Sequence, residues 1–364
     1  MDALRETIPR RQWRAKVEAA WPDWRAALEW TLTKQGNILL GQRLVGALET
    51  AWWVLPDAEV QHWLRTAFEA ADEMTPRNVR TRLNLALARF RVQHHRFKSC
   101  HAAAERALGQ ARDVRDDVAV ARAEFLTGHS LVVLGHVAQG EKLLESALVG
   151  FRKLGARRSI GRTLASLALA REHAGDVATA CALCADAVET LKTIEGDDGE
   201  IEHVSYLAEL EFHAGNTEEA LRLVNEALAY HRRLDERLHV VVDLSNAAAY
   251  LVALNRYDEA ASFAREALDR AVREGSELWT LFALQHLAAI GALQKDGTHA
   301  PRLIGFVGKR ISELAHQREY TEEQEYDRII GALRTEIGDA ELQRLTAEGT
   351  VLTQERAIAE ALAI

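Results

Sequence analysis

The sequence predicts an all-α protein, folded as a right-handed α-solenoid of helical hairpins with a 40-residue period. Residues 77–300 contain no proline. Proline breaks helices and is common in the turns of β-proteins, so this stretch favours helices. In addition, one sequence pattern returns every 40 residues, a spacing typical of stacked helical hairpins.

The repeated pattern is clearest in GNTEEALRLVNEAL at residues 215–228. Steps of 40 residues lead to NRYDEAASFAREAL at 255–268, GDVATACALCADAV at 175–188, GHVAQGEKLLESAL at 135–148 and HRFKSCHAAAERAL at 95–108. The pattern also reaches LPDAEVQHWLRTAF at 55–68 and, more weakly, KDGTHAPRLIGFVG at 295–308. Each repeat begins with a residue that tolerates a left-handed turn, such as Gly215 or Asn255, and His95 is the exception.

Small residues recur at fixed places on both helices of each predicted hairpin. The first helix carries Ala88, Gly128, Ala168, Ala208, Ala248 and Ala288. The second helix carries Cys100, Gly140, Ala180, Ala220 and Ala260, and seven residues later Ala107, Ala147, Ala187, Ala227 and Ala267. Two small faces allow close helix packing. One hairpin cannot bury its apolar faces alone, so we expect the hairpins to stack.

The two ends of the chain do not follow the repeat. We expect residues 1–50 to form an N-terminal helical cap, residues 51–310 six to seven hairpins, and residues 311–364 a C-terminal helical cap. The first cap is rich in tryptophan, including Trp13, Trp21 and Trp24. This density favours a packing junction over a ligand platform.

The repeats resemble the tetratricopeptide repeat, and the segment from Asn255 to Ala260, NRYDEA, is the nearest match to its turn. The resemblance covers roughly residues 50–310 and implies a binding scaffold. Each repeat is about six residues longer than the usual 34 and lacks the proline that often ends a repeat.

Both ends carry a second resemblance. WRAALEWTL at 24–32 and the stretch from PRLIGFVG at 301 to the C-terminus are similar to the C-terminal half of bacterial signal-transduction ATPases. In that family, ATPase and LuxR-type, winged-helix or cyclase domains precede helical repeats that act as sensor and interaction arm. The chain has no P-loop, since Leu303 and Arg310 flank Gly308-Lys309 at the diagnostic places. We therefore expect an excised region of such a regulator or a stand-alone relative.

Composition narrows the functional classes. The net charge of −9 argues against direct nucleic-acid binding by this chain. Three cysteines are too few for a disulfide framework, and no apolar run suggests a signal peptide or membrane span. We expect a cytoplasmic protein that does not bind a membrane.

No catalytic or metal-binding motif stands out, so we expect neither enzyme activity, nor a cofactor, nor a metal. Cys181 and Cys184 are separated by two residues on an alanine-rich helix, which favours core packing over a zinc or redox site. His94, His95 and His101, and likewise His129 and His136, lack the spacing of a known metal motif.

The repeat register predicts where a partner binds, because solenoids align the first helix of each hairpin along one groove. Side chains at equivalent positions would form rows across that groove. The predicted groove residues are Arg82, Arg89, Arg122, His129, Arg162, Tyr206, Asn246 and His286. Arginine binds carboxylates and phosphates through paired donors, so the row of Arg82, Arg122 and Arg162 favours an acidic peptide, an acidic protein segment or a small anionic ligand. The alternative is that these arginines pair with neighbouring carboxylates on a solvated face.

These features predict a non-catalytic sensor or interaction scaffold of a bacterial signalling or transcriptional regulator, with a partner in its concave groove. A stand-alone peptide receptor or adaptor is the alternative, and an enzyme with a site in the groove is a third possibility. The resemblance also implies that ATPase and DNA-binding domains lie in a longer parent chain.

Overall fold

The computed structural model describes residues 5–34, 36–194 and 201–364, apart from the side chain of Glu202. Across these residues the chain forms 17 α-helices and one short 3-10 helix at Ala51–Trp53, with no strand. The prediction of an all-α fold is confirmed.

The chain divides into two compact units, residues 1–203 and 204–364, and the boundary falls in the first turn of α10. The first unit contains α1 (Arg10–Leu32), α2 (Ile38–Ala47), α3 (Asp57–Glu69), α4 (Arg77–Gln93), α5 (Phe97–Asp113), α6 (Asp117–Val133), α7 (Val137–Leu154), α8 (Arg157–His173) and α9 (Val177–Lys192). The second contains α10 (Ile201–His213), α11 (Thr217–Leu234), α12 (Arg237–Ala253), α13 (Tyr257–Arg273), α14 (Glu277–Leu293), α15 (His299–Glu313), α16 (Tyr320–Gly349) and α17 (Gln354–Ala361).

The 40-residue frame is visible in the backbone turns. One residue of each turn inside a hairpin has a positive φ, and these residues are His95, Gly135, Gly175, Gly215, Asn255 and Lys295. A second set lies in the turns between hairpins, at Arg115, Gly155, Asp235, Gly275 and Ala315. His95 adopts the left-handed turn, with a φ of 52°, although it lacks the freedom of glycine. The register of the repeat therefore sets the turn geometry even where the residue type does not favour it.

The small residues of the first helix meet those of the second helix at the contact within each hairpin. The alanines on both helices are fully buried, and so is Cys100. Two glycines show how near the helices of a hairpin come: a Cβ at Gly128 of α6 would lie 2.8 Å from the carbonyl oxygen of Gly140 of α7. A Cβ at Gly140 would likewise lie 2.6 Å from the carbonyl oxygen of Gly128. Small residues are thus required here because backbone packs on backbone.

The first helices of successive hairpins also contact each other. Within the first unit, α6 packs against both α4 and α8. Within the second unit, α12 packs against α14, and α16 packs against both. These first helices therefore lie side by side within their unit, so side chains on them that are 40 residues apart are neighbours.

The tryptophan-rich start of the chain packs into the core of the first unit. Trp13 and Trp52 are fully buried, and the indole Nε1 of Trp52 donates to the carbonyl of Val45 at 3.1 Å. Trp21 meets Trp52 edge to face, with ring centroids 6.0 Å apart. These contacts support a packing role for the tryptophans, although Trp30 remains exposed.

The last helices pack closely on α15. A kink at Gly338, with a φ of 77°, divides α16 into two segments. A Cβ at Gly305 of α15 would collide with the backbone at Thr346 of α16, so the two helices cross in direct contact. Among the described residues, we find no helix whose length and hydropathy would let it cross a bilayer.

We expect Gly128→Ala to lower the free energy of unfolding by ~1–3 kcal/mol, because its methyl group would force α6 and α7 apart. The measurement is urea unfolding followed by circular dichroism. Gly109→Ala is the matched control, since Gly109 is exposed on α5 with no atom near its Cβ position. That substitution should instead add about 0.5–1 kcal/mol by removing a helix glycine. Equal effects of the two substitutions would contradict the close approach.

Candidate functional site

The first unit contains a polar pocket on its first helices. The lining residues are Arg5, Glu6, Glu49, Thr50, Arg89, Arg122, Phe125, Leu126, Phe151, Ser159 and Arg162. Three of the predicted groove residues, Arg89, Arg122 and Arg162, are therefore brought together from α4, α6 and α8. The remaining cavity measures about 20 Å³, enough for roughly one water molecule.

Two of these arginines are held by neighbouring side chains. Arg122 donates from Nη1 to Glu49 Oε2 at 3.1 Å, and the Glu49 side chain is only 2% exposed. The guanidinium of Arg162 lies over the ring of Phe125, 5.5 Å from its centroid. The ring face attracts the positive charge and so helps to hold Arg162 in place. We call this group, Arg89, Arg122 and Arg162, the arginine pocket.

His129 lies beside the arginine pocket. Its ring stacks on Phe125 at 6.1 Å, and its Nδ1 lies 3.1 Å from the hydroxyl of Ser166. Burial, followed by the nearby Arg162 guanidinium, lowers the pKa of His129 from its usual 6.5 to about 4. The ring is thus neutral at neutral pH and adds no further positive charge.

Arg82 lies in the same sequence row as Arg122 and Arg162 but does not line this pocket. It donates from Nη2 to Asp116 Oδ2 at 2.9 Å, and Asp116 also caps the N-terminus of α6. Arg82 therefore forms the pairing with a neighbouring carboxylate that the sequence left as the alternative.

The other predicted groove residues lie in the second unit. Asn246 of α12 donates from Nδ2 to Glu209 Oε1 at 3.2 Å. Tyr206 is half-buried on α10. These two residues belong to a different compact unit from the arginine pocket.

His286 is fully buried on α14 and is held by the C-terminal helix α16. Its Nδ1 lies 2.9 Å from Glu325 Oε2, and its Nε2 lies 2.8 Å from the hydroxyl of Ser245. Burial by itself lowers the pKa of His286, but the charges of Glu325 and Glu322 outweigh it and raise the pKa. Helix α16 thus covers His286, and a partner would reach it only after displacing that helix.

Arg5 and Glu6 of the N-terminal segment Arg5–Ile8 line the same pocket as the three arginines. Arg158 at the start of α8 donates from Nε to the carbonyl of Arg5 at 2.8 Å and from Nη2 to the carbonyl of Ile8 at 2.9 Å. The carboxylate of Glu6 accepts from the backbone N–H of Ser159 at 3.2 Å and from its hydroxyl at 2.8 Å. Glu6 therefore binds the N-terminal turn of α8, where free N–H groups favour a negative charge.

Arg5 is buried in the same place. Burial, followed by the charges of Arg89, Arg162 and Arg158, lowers the pKa of its guanidinium well below the usual range. The negative charge of Glu6 thus favours binding of the segment beside the arginines, whereas the positive charge of Arg5 opposes it.

The sequence analysis did not identify the N-terminal segment, its partners Arg158 and Ser159, or Glu49, the partner of Arg122. Arg5 and Glu6 lie outside the repeats, so the 40-residue frame gives no signal for them. Arg158 offers a weak signal, because the repeats 80 and 120 residues later have leucine at its position.

The cysteine and histidine groups considered from sequence do not form a metal site among the described residues. Cys184 is buried and Cys181 half-buried on α9. His94 pairs with Asp57 at 3.2 Å, and His101 lies 3.8 Å from Glu105. The described residues do bring one other group together, His231, Glu236 and His239.

We expect the stability of the protein to fall as the pH drops from 6.5 to 4, partly because of His129. In this range the unfolded chain binds a proton that the folded His129 excludes, which favours unfolding by about 2–3 kcal/mol at pH 4. His129→Gln keeps a partner for Ser166 but does not titrate. The free energy of unfolding, measured in urea at several pH values, should fall less steeply for this variant. Equal slopes would contradict the neutral, buried state of His129.

Comparison with known proteins supports the fold. Residues 200–271 match the tetratricopeptide repeat family. No curated protein matches the chain.

Three solved structures have similar folds at low sequence identity. Aspartyl phosphate phosphatase F from Bacillus subtilis is 10% identical, with a TM-score of 0.59, over 85% of this chain and 81% of that one. A STAND protein with a tetratricopeptide repeat sensor from Pyrococcus horikoshii is 13% identical, with a TM-score of 0.58, over 93% of this chain and 53% of that one. A Rap protein complexed with competence and sporulation factor is 12% identical, with a TM-score of 0.57, over 92% and 99%.

At these identities the likeness concerns the fold alone, and it agrees with the family match and with the helical hairpins described above. Residues 200–271 thus match the tetratricopeptide repeat family, and the other described hairpins that follow the 40-residue frame have the same helix–turn–helix form.

Proposed function

We propose that the chain is a non-catalytic binding scaffold of a signalling regulator, and that its arginine pocket binds an acidic segment of a partner protein or peptide. The observation that carries the proposal is the position of Glu6, which lines the pocket together with Arg89, Arg122 and Arg162 while its carboxylate accepts from Ser159. A carboxylate on a short segment of chain thus already lies at this pocket, which supports a pocket that binds a partner's carboxylate.

The charges of the pocket favour an anion. Among its described lining residues, four arginines face two glutamates, which leaves an excess of two positive charges. Glu49 is committed to Arg122. Like charges in a partly buried site repel each other strongly, and a bound carboxylate lowers that cost. Arginine also fixes the orientation of a carboxylate through its paired donors.

The N-terminal segment acts in this proposal as an internal occupant that a partner displaces. Its two backbone carbonyls accept from Arg158, and its carboxylate accepts from Ser159. A partner segment can supply the same groups. If it carries an acidic or neutral residue where the chain has Arg5, it avoids the repulsion from Arg89 and Arg162. Such a partner therefore binds the pocket better than the chain's own segment.

The comparisons give a setting for this function. One structure of similar fold is a Rap protein with bound competence and sporulation factor, and another is a STAND protein with a tetratricopeptide repeat sensor. This chain spans about half of the STAND protein. A sensor arm in a longer regulator, preceded by ATPase and DNA-binding domains, is therefore the setting that we favour. A stand-alone receptor or adaptor in the cytoplasm would use the same pocket.

The test uses a fluorescein-labelled synthetic peptide of residues 2–12 carrying Arg5→Glu, and full-length protein carrying Glu6→Ala. Glu6→Ala removes two hydrogen bonds that hold the internal segment, so the pocket becomes easier to occupy. Hydrogen bonds to a charged group contribute about 1.5–3 kcal/mol each, and 1.4 kcal/mol corresponds to a tenfold change in affinity. We expect the peptide to bind this variant at least ~10-fold more tightly than the wild-type protein in fluorescence anisotropy.

Arg162→Ala in the Glu6→Ala background should weaken peptide binding about tenfold or more. Arg82→Ala is the matched control, because Arg82 lies in the same row of the repeat but outside the pocket, and it should leave binding unchanged. Equal binding to the wild-type and Glu6→Ala proteins would contradict displacement of the segment. Loss of binding only in Arg82→Ala would contradict the choice of pocket, and displacement of the peptide by low millimolar inorganic phosphate would indicate a phosphate site.

A further inference from the structure

We propose that the second unit binds a zinc ion through His231, Glu236 and His239, with Asp243 orienting His231. His231 lies in the last turn of α11, Glu236 precedes α12, and His239 lies in the first turn of α12. The turn between the two helices places one ligand atom of each residue within 4.8 Å of the others. This site is separate from the arginine pocket, so it does not depend on the function proposed above.

The distances suit tetrahedral coordination after small side-chain movements. His231 Nε2 lies 3.7 Å from Glu236 Oε2, and His239 Nδ1 lies 3.4 Å from the same oxygen. Ligand atoms about 2.0–2.1 Å from a tetrahedral zinc ion are spaced about 3.3 Å apart. The rings of His231 and His239 stack with centroids 4.8 Å apart. His239 is exposed, so its ring can rotate toward the ion at little cost.

Asp243 hydrogen-bonds to one ring nitrogen of His231, as carboxylates commonly do with histidines that bind zinc through the other nitrogen. Its Oδ2 lies 2.6 Å from His231 Nδ1, and its Oδ1 lies 3.3 Å from the hydroxyl of Ser205. With the Nδ1 proton donated to Asp243, the lone pair of Nε2 points toward Glu236 and is free to bind a metal. A carboxylate behind a histidine fixes its tautomer and strengthens it as a ligand.

The repeat frame shows that this pair is a local exception. At the position of His231, the described repeats have Ala111, Phe151, Leu191 and Ala271, all buried. At the position of Asp243, buried Leu83, Ala123, Thr163 and Ala283 occur, and half-buried His203 is the one other ionisable residue among these described repeats. Four repeats thus fold without an ionisable group at either place. A buried histidine–aspartate pair costs more than the apolar residues that it replaces, and metal binding offsets that cost.

The donor set favours zinc over magnesium and calcium. Two imidazole nitrogens and one carboxylate oxygen suit zinc, whereas magnesium and calcium require mainly oxygen ligands. Glu236 and His239 are exposed, so the site opens to solvent and the fourth position can hold water or a ligand from a partner.

The test is equilibrium dialysis of untagged full-length protein against zinc chloride, followed by titration with Co²⁺ as a spectroscopic probe. We expect one zinc ion per chain, visible d–d absorption from tetrahedral Co²⁺, and an increase in Tm with zinc but not with magnesium. His239→Ala should weaken zinc binding at least ~10-fold without unfolding the protein, because His239 is exposed. Asp243→Asn should weaken it by about 10- to 100-fold through the orientation of His231.

Two controls separate this site from other zinc ligands. His136→Ala removes an exposed histidine on a turn of the first unit. The double variant Cys181→Ser, Cys184→Ser removes the two free thiols of α9. Neither should change the stoichiometry or the affinity. No bound zinc in the wild-type protein, unchanged binding in His239→Ala, or loss of binding in the cysteine variant would each overturn the proposal. In the first case the group would be a buried histidine–carboxylate ion pair.

Discussion

The fold depends on the close contact between the two helices of each hairpin. At Gly128 and Gly140 the helix backbones come so near that a single methyl group would collide with a carbonyl oxygen. Buried alanines take the same positions in the other hairpins. This contact brings the two helix axes of a hairpin close together. The first helices of neighbouring repeats are then near enough to touch. The small residues at fixed places on both helices therefore determine the distance between helices, and the contacts between repeats depend on that distance.

That spacing brings together the residues of the proposed binding site. Arg122 and Arg162 are 40 residues apart, and adjacent first helices bring them to one pocket with Arg89. Single arginines on isolated helices would be solvated and would bind an anion weakly. In a partly buried pocket they lie close to one another, and Glu6 lines the same pocket while its carboxylate accepts from Ser159. The same stacking brings His129 next to Arg162, which keeps the imidazole uncharged.

Sequence reasoning identified much of the fold and part of the site. The frame of 40 residues located the turns, including His95, and the buried small residues. It also identified the helices that carry Arg89, Arg122 and Arg162. It could not distinguish Arg82, which shares their row, because the pairing of Arg82 with Asp116 depends on where a cap residue of the next repeat lies. Nor could it anticipate that α16 covers His286 through Glu325, since α16 lies outside the repeat.

The sequence by itself determined the period, the helical class and the residues that each hairpin buries, because these depend on local backbone preference and on side-chain size at regular spacing. Only the tertiary structure decided which charges meet. Glu6 reaches Ser159 across more than 150 residues of chain, and Glu49 reaches Arg122 across more than 70. Contacts between segments that do not repeat leave no periodic signal, so their partners are set by packing in three dimensions.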